Sequence, residues 1–318
     1  MTTMTMQPAP RRSSAGASQE GPVLLAAKPF SGIDAPVAVA RWLAAREERE
    51  LRVISVLEHN DAVAIAAGVP PLPLSYYDAE RDAVAAQIRR ELTSFSVGEE
   101  SPTVDVVDGP CASSVVDAAQ QVGARVIVVG TGKHDPIGRY VYGERALQIV
   151  SLADRPVLVV PRDARPGSIA VAVVAVDFSA ASVRAARAVL PMLSYGGRLL
   201  LVHVKGGVTL KEETAGWWND AYERRCADLF AQLQRQLPQM PGVIVETRFL
   251  RGEPVRTLLD FALAHEAGLI ACGRLGHSIM ERIFVGSVSS ALVRQAFCPV
   301  LVAPEIAGDL PPKRPSRP

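Results

Sequence analysis

The chain has 318 residues, 48% of them hydrophobic, with 34 basic and 33 acidic side chains and a formal net charge of +1. That length suits two domains of ordinary size, and the balanced charge excludes the global basic field that draws in nucleic acid or anionic membrane. Aromatic residues make up only 5% while Ala and Val abound, as expected for buried parallel strands under small-residue helices.

In chain order, Met1–Glu20 is rich in Thr, Ser, Ala and Pro and reads as a disordered leader; Arg11-Arg12 is followed by no apolar core, so no secretory signal is expected. Apolar runs then predict strands near 22–27, 51–57, 103–107, 125–130 and 156–160. After a linker at Asp163-Ala-Arg-Pro-Gly-Ser168, five more fall near 169–176, 198–204, 243–250, 268–272 and 299–303. Helical stretches such as Ser179–Leu193 and Asn219–Gln236 lie between them. Strands alternating with helices imply parallel sheet with right-handed crossovers. The tail Pro311-Pro-Lys-Arg-Pro-Ser-Arg-Pro318 reads as disordered. No run reaches the ~18 apolar residues of a membrane helix, so no membrane partner is expected.

The chain repeats itself. Gly109 and Gly252, Gly130 and Gly273, Gly143 and Gly286, Pro156 and Pro299, and Pro161 and Pro304 are each 143 apart by subtraction. A register held from Gly109 to Pro161 marks duplication. The expected domains are 21–162 and 169–305, with 163–168 between them and a tail at 306–318. The short apolar strands at 156–160 and 299–303 would be exposed edges if left bare. Their pairing would make an intramolecular pseudo-dimer, and further homo-oligomerisation is a natural extension.

The second half carries the chemistry. Gly273-Arg-Leu-Gly276, nine residues, then Gly286-Ser287 lies between the apolar runs Leu269–Cys272 and Pro299–Ala303. It reads as a glycine loop leaving a strand and feeding a helix, whose first N–H groups and dipole would face an anion. Asp177, Val204 and Gly273 each stand at a strand's carboxyl end, where open α/β sheets bind ligands.

This spacing resembles the nucleotide signature of the universal stress protein family, and 273–287 match it in full. Val174-Ala-Val-Asp177-Phe-Ser179, Leu200-Leu-Val-His203-Val204, Arg251-Gly-Glu-Pro254 and Cys298–Pro304 resemble further family blocks in the family's order. The resemblance implies two tandem α/β domains, each a five-stranded mostly parallel sheet with helices on both faces, Rossmann-related and of the adenine nucleotide α-hydrolase kind. It implies ATP or a related adenine nucleotide, with any Mg2+ arriving on the phosphates, held by Ala175, Val176, Asp177, Val204, Cys272, Gly273, Leu275, Gly276, Gly286, Ser287, Val288 and Ser289. Asp177 would meet base or ribose and Val204 the adenine. The alternative for Asp177 is a turn or cap carboxylate. Arg274, His277 and Arg282 read either as phosphate contacts or as a solvated loop face.

The first half departs from the pattern. Lys133 stands at the place of Gly276 and Glu144 at that of Ser287; aligned on Ser31 and Ser179, Pro29 falls opposite Asp177. Its site is expected to be empty or altered, with Glu144 serving its own helix dipole.

Other chemistry is missing from the sequence. There is no GxxxxGK[ST], GxSxG or HExxH, and Cys111, Cys226, Cys272 and Cys298 form no CxxC pair. Ser31-Gly-Ile-Asp34 only faintly resembles a pyrophosphatase loop. No catalytic or metal-ligating residue is named. The expected role is a cytoplasmic, nucleotide-dependent stress-response regulator read by a protein partner. The alternatives are an interaction protein that binds no nucleotide and a slow ATP hydrolase.

Overall fold

The computed structural model describes residues 21–28, 34–59, 68, 73–93, 101–131, 143–165, 167–206, 212–274 and 285–305, with backbone alone over 212–220. The expected leader, tail, Leu275 and Gly276, Lys133, His277 and Arg282 lie outside these residues.

The first half runs β1 (Val23–Ala26), α1 (Asp34–Arg46), β2 (Leu51–Leu57), α2 (Leu74–Thr93), β3 (Thr103–Asp108), α3 (Cys111–Gln121), β4 (Val126–Gly130), α4 (Glu144–Leu152) and β5 (Val157–Val160). The second runs β6 (Ile169–Ala175), α5 (Ala180–Val189), β7 (Leu193–Lys205), α6 (Glu212–Gln236), β8 (Ile244–Arg251), α7 (Pro254–Ala264), β9 (Leu269–Gly273), α8 (Ser287–Gln295) and β10 (Val300–Ala303). All ten anticipated strands are present. β7 starts earlier than its apolar run, because Leu193–Gly197 continues it through a register shift against β6.

All ten strands form one sheet, ordered β3-β2-β1-β4-β5-β10-β9-β6-β7-β8. Each half therefore has the order third, second, first, fourth, fifth. Every pairing is parallel except the central one, where β10 runs antiparallel to β5 with Val300 opposite Val159 and Val302 opposite Val157. The two closing strands thus cover each other's edges.

Alternation along the strands feeds two cores. Leu199 and Leu201 pack on the face of α1, α2, α5 and α6, while Leu200 and Val202 pack on the face of α3, α4, α7 and α8. Each core draws residues from both halves, so burial is continuous across the central seam. The duplication also survives in backbone detail. Gly109 and Gly252 adopt φ +143 and +145 before α3 and α7, where a side chain would meet Ser114 or Thr257.

Candidate nucleotide site at the switch in strand order

In each half the first strand lies between the second and the fourth, so the chain changes direction across the sheet there. Open α/β sheets bind ligands at that point, beyond the strands' carboxyl ends. In the second half this brings β6 and β9 side by side, with Val174 opposite Ala271. Ala175, Val176 and Asp177 then leave one strand, and Cys272 and Gly273 end its neighbour.

Asp177 shapes its own turn. Its Oδ1 accepts from the Ser179 N–H (3.0 Å) and hydroxyl (2.6 Å), and Ser179 in turn caps α5 by accepting from the Ser182 N–H at 3.3 Å. The turn-carboxylate role holds for one oxygen, and the helix cap itself is Ser179. Phe178 takes φ +64, a strained value for a bulky residue. Its ring sits 5.0 Å from Phe230 and 4.9 Å from His203. His203 donates through Nδ1 to the Val176 carbonyl at 2.6 Å, and its Nε2 is hydrogen-bonded to the Tyr222 hydroxyl at 2.9 Å. It is a hydrogen-bonded histidine tying α6 to the end of β6.

Val204 is placed by strand alternation. The Val176 N–H donates to the Val202 carbonyl at 2.8 Å. Main-chain groups two residues apart face the same edge, so Val204 turns its amide toward the side that β6 has just vacated. Such an edge can pair with a flat heterocycle.

Gly273 has a structural cause. A Cβ there would lie 2.8 Å from the Ala181 Cβ and 3.1 Å from the Ser182 nitrogen. The glycine lets β9 press against the start of α5. Cys272 sends its thiol into the core, where burial, reinforced by the charge of Asp177, pushes its pKa up to about 12. Only its main chain is available to a ligand.

Gly286, Ser287, Val288 and Ser289 begin α8. No side chain among the described residues caps this helix, whereas α5 is capped by Ser179 and α7 by Glu253, which accepts from the Val255 and Arg256 N–H groups. Ser287 is exposed and Val288 half-buried. Ser289 departs from expectation: it is 2% exposed, and its hydroxyl donates to the Arg274 and Gly286 carbonyls at 2.9 and 3.0 Å. It ties the start of α8 to the end of β9, and only its N–H remains for an anion.

Arg274 fits neither role expected of it. Its guanidinium is buried and Nη1 donates to the carbonyls of Val150 (3.3 Å), Ser151 (2.9 Å) and Ala153 (2.8 Å). These belong to the end of α4, in the other half. Burial lowers its pKa, with Glu305 and Asp154 acting the opposite way. The contact spans 121 to 124 residues, and no local sequence signal announces it.

The first half places different groups at the equivalent point. The Ala27 N–H donates to Ile54 as Val176 does to Val202, so strand register sets Lys28, not Pro29, opposite Asp177. Glu58, just beyond β2, accepts from the Cys111 N–H at 3.1 Å and pairs with Arg145 at 2.6 Å. Glu144 is in the first turn of α4 and lies 3.9 Å from Arg294 of α8. Gly143 caps α4 in the left-handed conformation at φ +72, whereas Gly286 has φ −59.

Among the described residues no group of three His, Cys, Asp or Glu is placed to hold a metal, and no helix is long and apolar enough to cross a membrane. Two surface cavities of about 370 and 380 Å3 lie elsewhere, near the amino ends of β8 and β3.

The architecture is that of tandem Rossmann-related, adenine nucleotide α-hydrolase-like domains. The universal stress protein family model matches residues 23–161 and again 171–304, and the chain belongs to that family. It is 29% identical over 194 residues to a universal stress protein of Mycolicibacterium smegmatis, covering 60% of this chain and 65% of that one. It is 41% identical over 61 residues to one from Methanocaldococcus jannaschii, covering 19% of this chain and 36% of that one. These alignments thus span less than two thirds of either relative. In fold it is similar to a universal stress protein structure from Archaeoglobus fulgidus, at TM-score 0.62 and 17% identity, over 92% of this chain and 98% of that one. Family membership supports a role in the stress response.

Proposed function

We propose that the second half binds ATP or a related adenine nucleotide and that the protein is a nucleotide-dependent regulator of the stress response. The observation that carries this reading is the convergence, at one switch in strand order, of the Asp177 turn, the Val204 main chain facing the side of β6 and an α8 start that no side chain among the described residues caps. The edge suits an adenine, the carboxylate a ribose or base, and the first-turn N–H groups of Ser287, Val288 and Ser289 suit phosphate oxygens. Gly273 lets β9 approach the start of α5. Mg2+ would enter with the phosphates.

The first half, with Lys28 at the place of Asp177, Glu58 paired to Arg145 and Glu144 at the start of α4, supports one site per chain. Those same pairs favour an interaction role for that half. The alternative is a slow ATP hydrolase, for which no side chain is assigned as a catalyst. A protein partner reads the nucleotide state.

The test is mass-spectrometric identification of ligand released from gently purified protein, with stoichiometry. The expected result is one adenine nucleotide per chain, lost in Ser287→Glu and Gly276→Lys. Two per chain would mean that the first site also works. None, with no ATP binding on titration, would leave the interaction protein as the reading.

A further inference from the structure

Arg274 directly follows Gly273 and is tied in three directions. Its N–H donates to the Ala303 carbonyl at 2.8 Å, at the end of β10. Its carbonyl accepts from the Gly286 N–H at 2.8 Å and the Ser289 hydroxyl at 2.9 Å, which holds the start of α8. Its guanidinium, on a residue 9% exposed, holds the Val150, Ser151 and Ala153 carbonyls at the end of α4. Last-turn carbonyls lack intrahelical donors and carry the negative end of the dipole. A buried cation needs such partners. At the equivalent position the first half has no matching arginine. Thr131, 143 residues earlier, keeps the main-chain bond to Val160 at 3.2 Å but has no side chain long enough to reach the end of α8.

We propose that Arg274 couples the start of α8 in the second half to the end of α4 in the first, so that occupancy at Gly286–Ser289 is read out at Val150–Ala153. The ligand in this statement rests on the nucleotide reading; the coupling does not. A phosphate on the first turn of α8 bears on Gly286 and Ser289, and both are bonded to the Arg274 carbonyl. Displacing that carbonyl moves a side chain whose far end is held by the other half. A ligand shifts such a link only through different affinities for its two states, and the effect is reciprocal.

The experiment is amide hydrogen exchange on the full chain, wild type and Arg274→Lys, with and without ATP. Lysine keeps the charge but loses the guanidinium fork. Without ligand, Arg274→Lys is expected to speed exchange about 5-fold or more in both 285–290 and 144–153. With ATP, the wild type is expected to slow exchange in both regions, and Arg274→Lys only in 285–290. Wild type that binds ATP and slows 285–290 alone overturns the proposal. So does Arg274→Lys loosening only one region without ligand. If ATP binds nowhere, the nucleotide reading falls, and the ligand-free comparison decides the coupling. Should Arg274→Lys not fold, Ser289→Ala removes one bond of the same link; loosening of 144–153 supports the proposal and unchanged exchange there overturns it.

Discussion

The two halves keep the same sheet and differ at its carboxyl edge. Strand order, register and the left-handed glycines before α3 and α7 repeat across the 143-residue offset. Beyond the strands, the second half offers Asp177 and an α8 start that no side chain among the described residues caps, whereas the first has Lys28, Glu58, Glu144 and Arg145. The difference separates two kinds of constraint. Strand positions answer to two packed faces at once, so they resist change. Loop ends answer to fewer packed neighbours, so they can differ between halves that share one sheet.

The seam shows the same contrast. Arg274 and Arg125, from opposite halves, each reach a helix end in the other. Arg274 meets carbonyls alone, while Arg125 combines the Ala188 carbonyl at 3.1 Å with a buried ion pair to Glu47 at 2.5 Å. Burial pushes the Glu47 carboxyl up and the Arg125 guanidinium down, so desolvation outweighs the attraction on both sides. Removing one member is therefore the most damaging change. Arg125→Met is expected to cost about 3–5 kcal/mol in urea unfolding, because Glu47 stays buried without its partner. Arg125→Met with Glu47→Leu should recover most of that loss. A single-variant loss below about 1 kcal/mol would place the pair among hydrated surface bridges and undo the contrast.

A smaller effect is expected at Gly273. An added methyl would lie 2.8 Å from the Ala181 Cβ and 3.1 Å from the Ser182 nitrogen, and the latter is backbone that cannot swing aside. Gly273→Ala should cost about 1–3 kcal/mol of ligand-free stability, the usual range for overpacking. Unfolding midpoints without nucleotide isolate this from any effect on binding. Unchanged stability would mean that the glycine is there for the loop, not for packing.

The sheet was legible because its apolar runs are short, regular and repeated, so both the strands and the pairing of the closing pair could be anticipated. Main-chain and local features of the site were legible too: Asp177 and Ser179 are two residues apart and form a turn within that span. What the sequence hid are long-range side-chain contacts. Arg274 finds its acceptors more than a hundred residues away, and Ser289 spends its hydroxyl on a carbonyl fifteen positions back. Sequence alignment also set Pro29 opposite Asp177, since a one-residue slip in a loop is invisible until strand register fixes Lys28 there.

The smallest effect concerns alkaline pH and again divides the halves. Cys272 and Cys298, both in the second half, are buried thiols pushed from 9.0 up to about 12. The residues 143 positions earlier are Val129 and Arg155, which bring no thiol. A raised folded pKa means that, above pH 9, the unfolded thiol sheds a proton that the folded one keeps. Stability therefore falls as pH rises through 9 and toward 12. At pH 10 each thiol contributes a loss of about 1.4 kcal/mol, one pKa unit's worth, and almost none at pH 8. Cys272→Ala carries its own packing cost, so the quantity to compare is the change in unfolding free energy between pH 8 and pH 10. That change should be smaller in Cys272→Ala than in wild type by about 1.4 kcal/mol. Equal changes in the two proteins would mean that the Cys272 thiol ionises as readily folded as unfolded, and would overturn the shift that burial and the charge of Asp177 impose.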